Sequence, residues 1–321
     1  MRLFVTGAAG FIGSNYVRFV LESSDDAVTV FDALTYAGNL DNLRGLDDDP
    51  RFRFVKGDIT DRDAVLAAMD GHEAVVHFAA ESHVDRSIVS PDEFVRTNCD
   101  GTNVMCDVAR RVGVDRFVHI STDEVYGSIA EGSFRETDPL EPRSPYSASK
   151  AGSDLIALSY HSTYGLPVLV TRSSNNFGPY QFPEKVIPLF VTNLLDGRRV
   201  PLYGDGLNVR DWCFVEDNCA GVDLVLRRGV IGDIYNIGAG NEITNRELTH
   251  RLLALTGRDE RFITPVADRL GHDRRYSITH DKVSALGWKA EHNLDDGLAA
   301  TVEWYRDHRD WWEPLKARAS F

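Results

Sequence analysis

Tyr146 and Lys150 lie four residues apart in a stretch whose spacing predicts a helix from near Tyr146 to Tyr164. Residues at this spacing share one face of a helix. A phenol has a pKa of roughly 10, so action as a base near neutral pH requires a drop of about three units, or about 4 kcal/mol. An ammonium group one turn away can supply part of that drop. The pair therefore predicts a tyrosine base.

Two other interpretations of this stretch stay open on its residues alone. Ser147 and Lys150 have the Ser-x-x-Lys spacing of acyl-enzyme serines, but the Ser-Asp-Asn and Lys-Thr-Gly motifs that accompany it do not occur in the sequence. Tyr146 could also be an ordinary core tyrosine with a solvated lysine as its neighbour. The tyrosine base is favoured only because other motifs accompany it.

A threonine and two acidic residues, Thr122, Asp123 and Glu124, follow a predicted strand over 116–120. Doubly wound sheets bind ligands at the carboxyl ends of their strands. Paired carboxyl groups can act as general base and general acid if one of them is protonated. Adjacent residues of an ideal strand point in opposite directions, so both acids can reach one substrate only if the backbone turns here. The alternative is a solvated acidic turn.

Three glycines, Gly7, Gly10 and Gly13, lie between a predicted strand and a predicted helix. Such glycines permit a tight turn, close approach of the backbone to a pyrophosphate and close packing of the helix on the sheet. The G-x-x-G-x-x-G spacing is weak evidence alone, but Asp32 follows about 20 residues later at the end of the second strand. Its carboxylate can accept hydrogen bonds from both ribose hydroxyls of NAD and would repel the 2′-phosphate of NADP.

Asp58 follows the third strand and has two interpretations. Its carboxylate could meet the adenine amino group of NAD, or it could be the N-cap of the next helix. If NAD is bound, its cationic nicotinamide ring would lower the pKa of Tyr146 further. The glycine loop and Asp32 therefore strengthen the interpretation of Tyr146 as a base.

These motifs need a scaffold of alternating strands and helices. Apolar runs predict strands at 3–5, 27–31, 53–55, 74–78, 116–120 and 168–170. Helical spacing predicts helices at 11–21, from about 61, at 91–112 with Ser90 as its N-cap, and at 146–164. Strict alternation implies a parallel sheet with helices on both faces. We predict an α/β fold, a doubly wound parallel sheet of the Rossmann type with a smaller mixed α/β substrate domain.

The pattern loosens after about Arg172, where four prolines interrupt it: Pro179, Pro183, Pro188 and Pro201. Helices are predicted at 183–195, 216–227, 245–255 and 294–308. We assign 1–172 to an NAD-binding domain and 173–321 to a substrate-binding domain. The boundary is soft, because some segments after 172 are expected to return to the first domain.

Composition limits the function classes. The net charge of -14 and the pI of about 5.1 disfavour a general nucleic-acid binder, which is usually basic. The four cysteines form no C-x-x-C pair, so we expect reduced thiols and no metal site. The first residues leave no room for a signal peptide, and no apolar run is long enough to span a bilayer. We therefore expect a cytoplasmic protein without membrane contact.

The motifs together resemble the extended short-chain dehydrogenase/reductases over essentially the full chain, and within that family the dTDP-glucose 4,6-dehydratases. The resemblance is carried by 6–13, Asp58, Asn98, Tyr146 with Lys150, and longer stretches at 32–39, 79–87, 122–127, 172–181 and 271–276. Three positions depart from the family pattern. Ala8 replaces a frequent glycine, Ala33 a common lysine and Leu270 a proline, and none touches the expected chemistry.

The resemblance implies a dehydration reaction of dTDP-glucose with internally recycled NAD. Tyr146 takes the proton from the C4 hydroxyl while C4 gives hydride to NAD, Thr122 hydrogen-bonds that oxygen, and Lys150 tunes the phenol and holds the nicotinamide ribose. Glu124 then acts as the base at C5 and a protonated Asp123 as the acid at C6. The hydride returns to C6, so the cofactor is tightly bound and regenerated each turnover.

The resemblance also implies the binding residues. The expected cofactor contacts are Gly7, Gly10, Phe11, Ile12, Gly13, Asp32, Leu34, Thr35, Asp58, Ile59, Phe78, Ala79, Ala80, Ser82, Thr97, Tyr146, Lys150 and Asn176. The expected contacts of the dTDP-sugar are Ser82, His83, Thr122, Asn175, Glu184, Lys185, Pro201, Tyr203, Arg210, Asn245, Arg269, His272 and Tyr276. Lys185 and Arg210 are the candidates for diphosphate contacts, and His119 is expected to be structural.

Other functions stay open on the residues. An epimerase or decarboxylase would use the same Tyr/Lys pair but needs no acid at C6, so Asp123 and Glu124 favour dehydration. A GDP- or CDP-sugar dehydratase, and a non-catalytic NAD-binding regulator, are further alternatives. A homodimer is expected by resemblance, with the helices at 91–112 and 146–164 forming a four-helix interface. Candidate interface residues are Val104, Val108, Leu155 and Leu158.

Overall fold

A parallel sheet forms the centre of the molecule. The computed structural model describes residues 1–268 and 272–318. Within these residues the strands are β1 (Arg2–Thr6), β2 (Ala27–Asp32), β3 (Phe52–Lys56), β4 (Ala74–His77), β5 (Arg116–Thr122), β6 (Val168–Ser173), β7 (Asn175–Phe177), β8 (Val200–Tyr203), β9 (Val209–Phe214), β10 (Ile234–Ile237), β11 (Glu242–Thr244) and β12 (Ile263–Val266). The large sheet has the order β10-β6-β5-β4-β1-β2-β3, and all its neighbours pair in parallel.

Helices cover both faces of this sheet and build the second region. In chain order the structure has α1 (Phe11–Ser23), α2 (Arg62–Met69), α3 (Val84–Val89), α4 (Pro91–Phe94), α5 (Thr102–Val112), α6 (Pro145–Tyr164), α7 (Val186–Leu195), α8 (Val215–Arg228), α9 (Asn245–Leu255), α10 (Asp281–Ala285), α11 (Leu294–Asp307) and α12 (Arg309–Arg318). None of the helices in residues 1–268 and 272–318 combines the length and apolar character that crossing a membrane requires.

The central strands are buried on both faces, which explains their continuous apolar runs. Val5 and Val76 point into a core formed with α1 and α8. Phe4, Val75 and Val168 point to the other face, against α2, α5 and α6. The predicted α/β class with a doubly wound parallel sheet is confirmed.

Strand β10 comes from far along the chain, yet it pairs with β6 at the edge of the large sheet. Sequence analysis predicted six strands and missed this one, because Ile234 to Ile237 is a short run interrupted by Asn236. Helix α8 likewise packs against α1 on the same sheet. Two segments after residue 172, β10 and α8, thus belong to the large sheet and its helical cover.

The second region is built from short elements. Strands β7, β9 and β11 form one small sheet, and β8 pairs with β12. Helices α7, α9, α11 and α12 pack around a core that includes Trp212, Phe214 and Trp312. The predicted helix at 183–195 begins only at Val186, since 181–185 forms a turn-rich segment. The other three predicted helices are within one residue of the observed bounds.

The predicted helix at 91–112 is not a uniform α-helix. Its residues 95–101 form a π-helical segment between α4 and α5, and the preceding α3 was not predicted. Ser90 makes no capping hydrogen bond with its side chain. The wider π turns bring Asn98 toward α6, where its Nδ2 donates to Ser149 Oγ at 2.8 Å. Such bulges are frequent at functional sites.

Candidate active site

At two glycines of the loop, Gly7 and Gly13, there is no room for a side chain. Gly7 has φ +71°, and a Cβ at this position would lie 2.5 Å from the backbone nitrogen of Ala79 on the neighbouring strand connection. A Cβ on Gly13 would lie 2.7 Å from the Cα of Ala8. Gly10 precedes the first turn of α1, so unpaired N–H groups of that turn face the loop. The loop has the shape that a pyrophosphate needs.

Asp32 shapes the loop as well as facing it. Its two carboxylate oxygens accept from Ala9 N at 2.9 Å and Leu34 N at 2.8 Å, and the residue is 8% exposed. Burial raises the pKa of Asp32, and these two N–H groups oppose the rise. Each oxygen keeps a lone pair that can accept from a ribose hydroxyl. Leu34 takes a left-handed backbone conformation, with φ 55°.

Asp58 does not cap the next helix. Its Oδ1 accepts from the backbone N and the hydroxyl of Thr60, both at 2.8 Å. The N-cap of α2 is Asp61, whose side chain accepts from Ala64 N at 3.1 Å. The helix-cap interpretation of Asp58 is therefore wrong, and Asp58 lines the large cavity described next.

One cavity brings most of the expected cofactor residues together. It runs from the glycine loop past the ends of β2, β3 and β4 to Tyr146 and Lys150 on α6. Its lining includes Gly7, Gly10, Phe11, Ile12, Gly13, Asp32, Thr35, Asp58, Ile59, Phe78, Ala79, Ala80, Ser82, Thr97, Tyr146 and Lys150.

Two expected cofactor residues are not in this lining. Leu34 contributes its backbone N–H to Asp32. Asn176 is buried behind the cavity, where its Nδ2 donates to Ser174 O at 3.0 Å. The lining also includes residues that were not among the expected contacts, among them Tyr36, Glu81, Gln181 and Phe182. Tyr36, Glu81 and Gln181 lie within stretches that carry the family resemblance, which was a usable signal.

Tyr146 and Lys150 are both buried at the inner end of the cavity. The Tyr146 hydroxyl is hydrogen-bonded to Thr122. Burial raises the pKa of Tyr146, the charge of Glu124 adds to the rise, and the Thr122 hydrogen bond opposes it. Lys150 Nζ donates to the Ile120 carbonyl oxygen at 2.7 Å, and burial lowers the pKa of Lys150 to about 8. Lys150 alone therefore does not offset the effect of burial on the Tyr146 phenol, and the predicted drop in its pKa also requires the positive charge of NAD.

The acidic pair lies where the backbone turns. Strand β5 ends at Thr122, and 123–126 forms a 3₁₀ turn in which Glu124 N donates to Thr122 Oγ1 at 3.2 Å. This turn removes the strand geometry that would point Asp123 and Glu124 in opposite directions. Asp123 is 2% exposed, and its pKa is raised well above the usual value by burial and then by the charges of Glu124 and Asp211. Burial and the neighbouring negative charges therefore favour the neutral acid form of this carboxyl group.

A buried polar network lies behind Lys150. Arg172 on β6 donates to Asp154 Oδ2 at 2.9 Å and to the Tyr126 hydroxyl at 2.8 Å. His119 Nε2 is 3.0 Å from Ser153 Oγ and 3.3 Å from Asp154 Oδ1. His119 was expected to be structural. Asp154 could not be identified from the sequence, because its partners Arg172 and His119 come from distant strands.

Three expected substrate residues border the cavity on its outer side: Ser82, Glu184 and Lys185. Lys185 Nζ donates to the Ser82 carbonyl oxygen at 2.9 Å. His83 Nε2 lies 3.8 Å from Glu184 Oε2, and the pKa of Glu184 is raised by burial. The guanidinium of Arg86 stacks over the Tyr36 ring at 3.6 Å. Residues of three separate segments thus close over one end of the cavity.

A second group of expected substrate residues surrounds Arg210. Its guanidinium donates to the carbonyl oxygens of Val209 and Asp273 and lies 4.2 Å above the ring of Tyr276. The Tyr276 hydroxyl donates to Asp273 Oδ2 at 2.7 Å. The charge of Arg210 lowers the pKa of Asp123, although burial outweighs it. Arg210 therefore acts electrostatically on Asp123.

The other expected substrate residues do not line the large cavity. Asn175 is in β7, Pro201 and Tyr203 are in β8, and Asn245 is the first residue of α9. Tyr203 is 41% exposed. His272 Nδ1 lies 2.6 Å from Asp268 Oδ1. Arg269 lies outside the described residues.

The chain is similar to known sugar-nucleotide enzymes along its whole length. A family described as GDP-mannose 4,6 dehydratase matches residues 4–301. A dTDP-glucose 4,6-dehydratase of Streptomyces antibioticus is 59% identical over 325 residues, covering 99% of this chain and 96% of that protein. The low-salt glycan biosynthesis protein Agl12 of Haloferax volcanii is 54% identical, covering 95% of this chain and 98% of its own length.

Solved structures agree with this similarity. A dTDP-glucose 4,6-dehydratase of Streptomyces venezuelae, solved with NAD and dTDP bound, has a TM-score of 0.97 and 57% identity over 98% of this chain and all of its own. A UDP-glucose 4-epimerase of Thermotoga maritima, solved with UDP-glucose, has a TM-score of 0.89 and 31% identity over 96% of this chain and 99% of its own. The fold is thus shared by dehydratases and epimerases, and the residues of the site must distinguish them.

Proposed function

The chain belongs to the GDP-mannose 4,6-dehydratase family of extended short-chain dehydrogenase/reductases, and on that premise we propose that it is an NAD-dependent hydro-lyase acting on dTDP-glucose. The products are dTDP-4-keto-6-deoxyglucose and water. The observation that carries the proposal is the pair Asp123 and Glu124, which lies beside the hydrogen-bonded Tyr146 and Thr122 at a strand end. An epimerase needs no such acid.

The site fits NAD. The loop at Gly7 and Gly13 excludes any Cβ and so admits a pyrophosphate close to the backbone. The Asp32 carboxylate is fixed by two backbone N–H groups at the ribose end. When bound, NAD would supply the acceptor for the hydride of C4, the donor of hydride to C6, and positive charge that would lower the pKa of Tyr146.

The first proton transfer falls to Tyr146. Its pKa is raised by burial, which favours the protonated phenol, and the positive charge of NAD would oppose that rise. Thr122 is hydrogen-bonded to the phenol and can hold the same C4 oxygen that gives up the proton. Lys150, with a pKa of about 8, is fixed by the Ile120 carbonyl oxygen and contributes a cation to the site.

The elimination falls to the acidic pair. Oxidation at C4 acidifies the C5 proton, and we assign its removal to Glu124. Loss of the C6 hydroxyl needs a proton donor, and the raised pKa of Asp123 keeps a proton on that carboxyl group. Glu124 then returns its proton to C5. Carboxyl groups with different environments thus take the roles of base and acid.

Substrate binding is assigned to the outer part of the site. Glu184, Lys185 and Ser82 border the cavity, and Arg210 with Tyr276 lies near the acidic pair. We assign the diphosphate of the dTDP-sugar to the two cations Lys185 and Arg210. His83, Asn175, Pro201, Tyr203, Asn245, Arg269 and His272 remain proposed contacts of sugar or thymidine.

The test incubates the purified protein with dTDP-glucose and no added NAD. We expect loss of one water by mass spectrometry, the base-induced absorbance of a 4-keto product and no net reduced nicotinamide. Glu124→Gln should lower turnover by about 10²–10⁴-fold and accumulate reduced nicotinamide, because oxidation precedes the step that needs the base. Glu303→Gln, at an exposed position of α11, is the matched control. No turnover, even with NAD supplied, would favour another nucleotide sugar, an epimerase or a decarboxylase.

We also propose a homodimer. Four apolar side chains near the junction of α3, α4 and α6 are exposed, namely Ile88, Val89, Val95 and Leu155. Two of the expected interface residues are instead in the chain's own core, since Val104 is 8% and Val108 0% exposed. Leu158 is partly buried against that core. Light scattering should give twice the chain mass of 35.8 kDa for the wild type and a lower mass for Leu155→Glu, with Leu40→Glu as control.

The proposal also includes a division into two domains and a location in the cell. Residues 1–172 form the NAD-binding domain and 173–321 the nucleotide-sugar domain, with α8 and β10 assigned to the first. This division is supported by the contacts of α8 with α1 and of β10 with β6. We place the protein in the cytoplasm, because all four cysteines are free thiols.

A further inference from the structure

Asp154 extends the series of ionisable residues on helix α6. It follows Lys150 by four residues and Tyr146 by eight, so the three side chains lie along one face of the helix. Asp154 is 0% exposed and lies beyond Lys150, away from the cavity. A fully buried carboxylate is costly without a partner, and its presence here calls for a physical reason.

The Asp154 carboxylate is held as an anion. Arg172 Nε donates to Oδ2 at 2.9 Å, and this guanidinium is itself only 2% exposed. His119 Nε2 lies 3.3 Å from Oδ1. Burial alone would raise the pKa of Asp154, but the contacts with His119 and Arg172 outweigh it, and the pKa is lowered. The negative charge is therefore present at neutral pH.

Lys150 needs a counter-charge, because burial lowers its pKa to about 8. The groups around it come from several elements. Burial lowers the pKa values of His77 on β4 and His119 on β5, so both rings are neutral. Burial raises the pKa of Cys99 in the π-helical segment, so its thiol is neutral.

Asp154 supplies a neighbouring charge of opposite sign. Tyr146 on the same helix is a neutral phenol, and Arg172 on β6 is a cation. Among the described groups whose charge opposes the lowered pKa of Lys150, Asp154 has the largest effect. Arg172 fixes the Asp154 carboxylate and also balances its negative charge. Lys150, Asp154 and Arg172 together therefore carry one net positive charge.

We propose that Asp154 is a positioning residue of this enzyme, the buried counter-charge that keeps Lys150 an ammonium group beside Tyr146. The inference rests on the proposed function, in which Lys150 supplies a cation beside Tyr146. Without the anion, Lys150 loses its proton at a lower pH, and Tyr146 loses the positive charge that lets it act as a base. Asp154 thus acts through Lys150 and never contacts the substrate.

The first measurement needs no substrate, so it separates this proposal from the proposed function. The chain contains six lysines, few enough for NMR of ¹³Cε-labelled lysine in the NAD-bound enzyme: Lys56, Lys150, Lys185, Lys282, Lys289 and Lys316. A Lys150→Met variant assigns the Lys150 signal. In Asp154→Asn we expect its titration midpoint to fall by about one unit. An unchanged midpoint overturns the proposal.

Two matched variants separate charge from structure. Asp223→Asn removes a carboxylate that is paired with Arg227 at 2.7 Å on α8, outside the site, and should leave the Lys150 midpoint unchanged. Arg172→Gln removes the anchor but keeps the anion, so the midpoint should not fall. If Asp154→Asn does not fold, the double variant Asp154→Asn/Arg172→Gln removes both members of the buried ion pair. The titration midpoint of Lys150 is then measured in that double variant. A fall in Arg172→Gln equal to that in Asp154→Asn would overturn the proposal.

The pH profile of turnover is the second readout. Activity that requires a charged Lys150 is lost as the pH rises through its pKa. The alkaline limb of kcat in Asp154→Asn should therefore move to lower pH by about one unit, while Asp154→Glu should restore the wild-type limb. A uniform loss of activity at every pH would mean a structural role only, and would overturn the proposal. If the wild type is inactive but the Lys150 titration midpoint still falls in Asp154→Asn, the result contradicts the proposed function and not this proposal.

Discussion

The two sides of the catalytic centre treat buried charge in opposite ways. Behind Lys150, charges alternate in sign, with Asp154 between Lys150 and Arg172. Around Asp123, the effects of two further carboxyl groups, Glu124 and Asp211, are each larger than the opposing effect of the nearby cation Arg210. Pairing keeps groups ionised in a buried site, whereas like charges and burial keep a carboxyl group neutral. One fold thus sets a cation on one side and an acid on the other.

The largest effect is expected on the acidic side, from Asp123→Asn. The amide fills the same space but cannot supply a proton, so kcat should fall by about 10²–10⁴-fold. Single-turnover measurements should show that oxidation at C4 survives while loss of water does not. Equal loss of both steps would mean that Asp123 has a structural role and that the contrast between the two sides is wrong.

The same variant also tests the neutral state of Asp123. A carboxyl group whose pKa is raised in the folded protein contributes stability that is fully present below the unfolded pKa of about 3.9 and is lost as the pH rises toward the folded pKa. The free energy of unfolding of the wild type should therefore decline over this pH range relative to Asp123→Asn. Thermal unfolding of both proteins at several pH values measures this, and parallel curves would contradict it.

A smaller effect is expected from Asp211→Asn, which removes one like charge. Asp211 is 2% exposed, and its Oδ1 accepts from Asn241 N at 2.6 Å, a bond that an amide oxygen can keep. The pKa of Asp123 should fall, so the alkaline limb of water loss should move to lower pH and turnover at neutral pH should drop several-fold. Asp205→Asn, in an exposed ion pair with Arg274, is the control and should leave the limb in place.

The smallest effect on activity is expected from Asn98→Ala on the Lys150 side. The Asn98 side chain joins the π-helical segment to Ser149 and to both backbone groups of Glu81. Its loss should lower the free energy of unfolding by about 1–3 kcal/mol. Because Asn98 carries no charge, the pH profile of kcat should keep its shape. A shifted alkaline limb would mean that geometry and not charge sets the state of Lys150.

The cofactor half of the site could be predicted because its signals are local. Gly7, Gly13 and Asp32 follow single strands at fixed distances, and Tyr146 with Lys150 needs only one helix. The large cavity brings these residues together. The sequence also indicated that the backbone must turn at Asp123 if both acids are to reach one substrate. The 3₁₀ turn at 123–126 meets this requirement.

The remaining features depend on contacts between distant parts of the chain. Asp154 looks like any polar helix residue until Arg172 and His119 are placed beside it. The π-helical segment at 95–101 keeps an apolar periodicity that resembles an α-helix. Strand β10 is too short to be distinguished by periodicity. The burial that raises the pKa of Tyr146 could not be predicted for the same reason, since burial is a property of the whole fold.

The edge position of β10 also has a consequence for synthesis of the chain. Strand β6 is buried along its whole length, and β10 covers one of its two edges. A ribosome adding roughly 5–20 residues per second needs several seconds to proceed from Ser173 to Ile237. During that time the nascent protein presents an unpaired apolar strand edge, the feature that most readily recruits other chains. Chaperone capture and aggregation during translation should therefore concentrate in this interval, before the last strand seals the sheet.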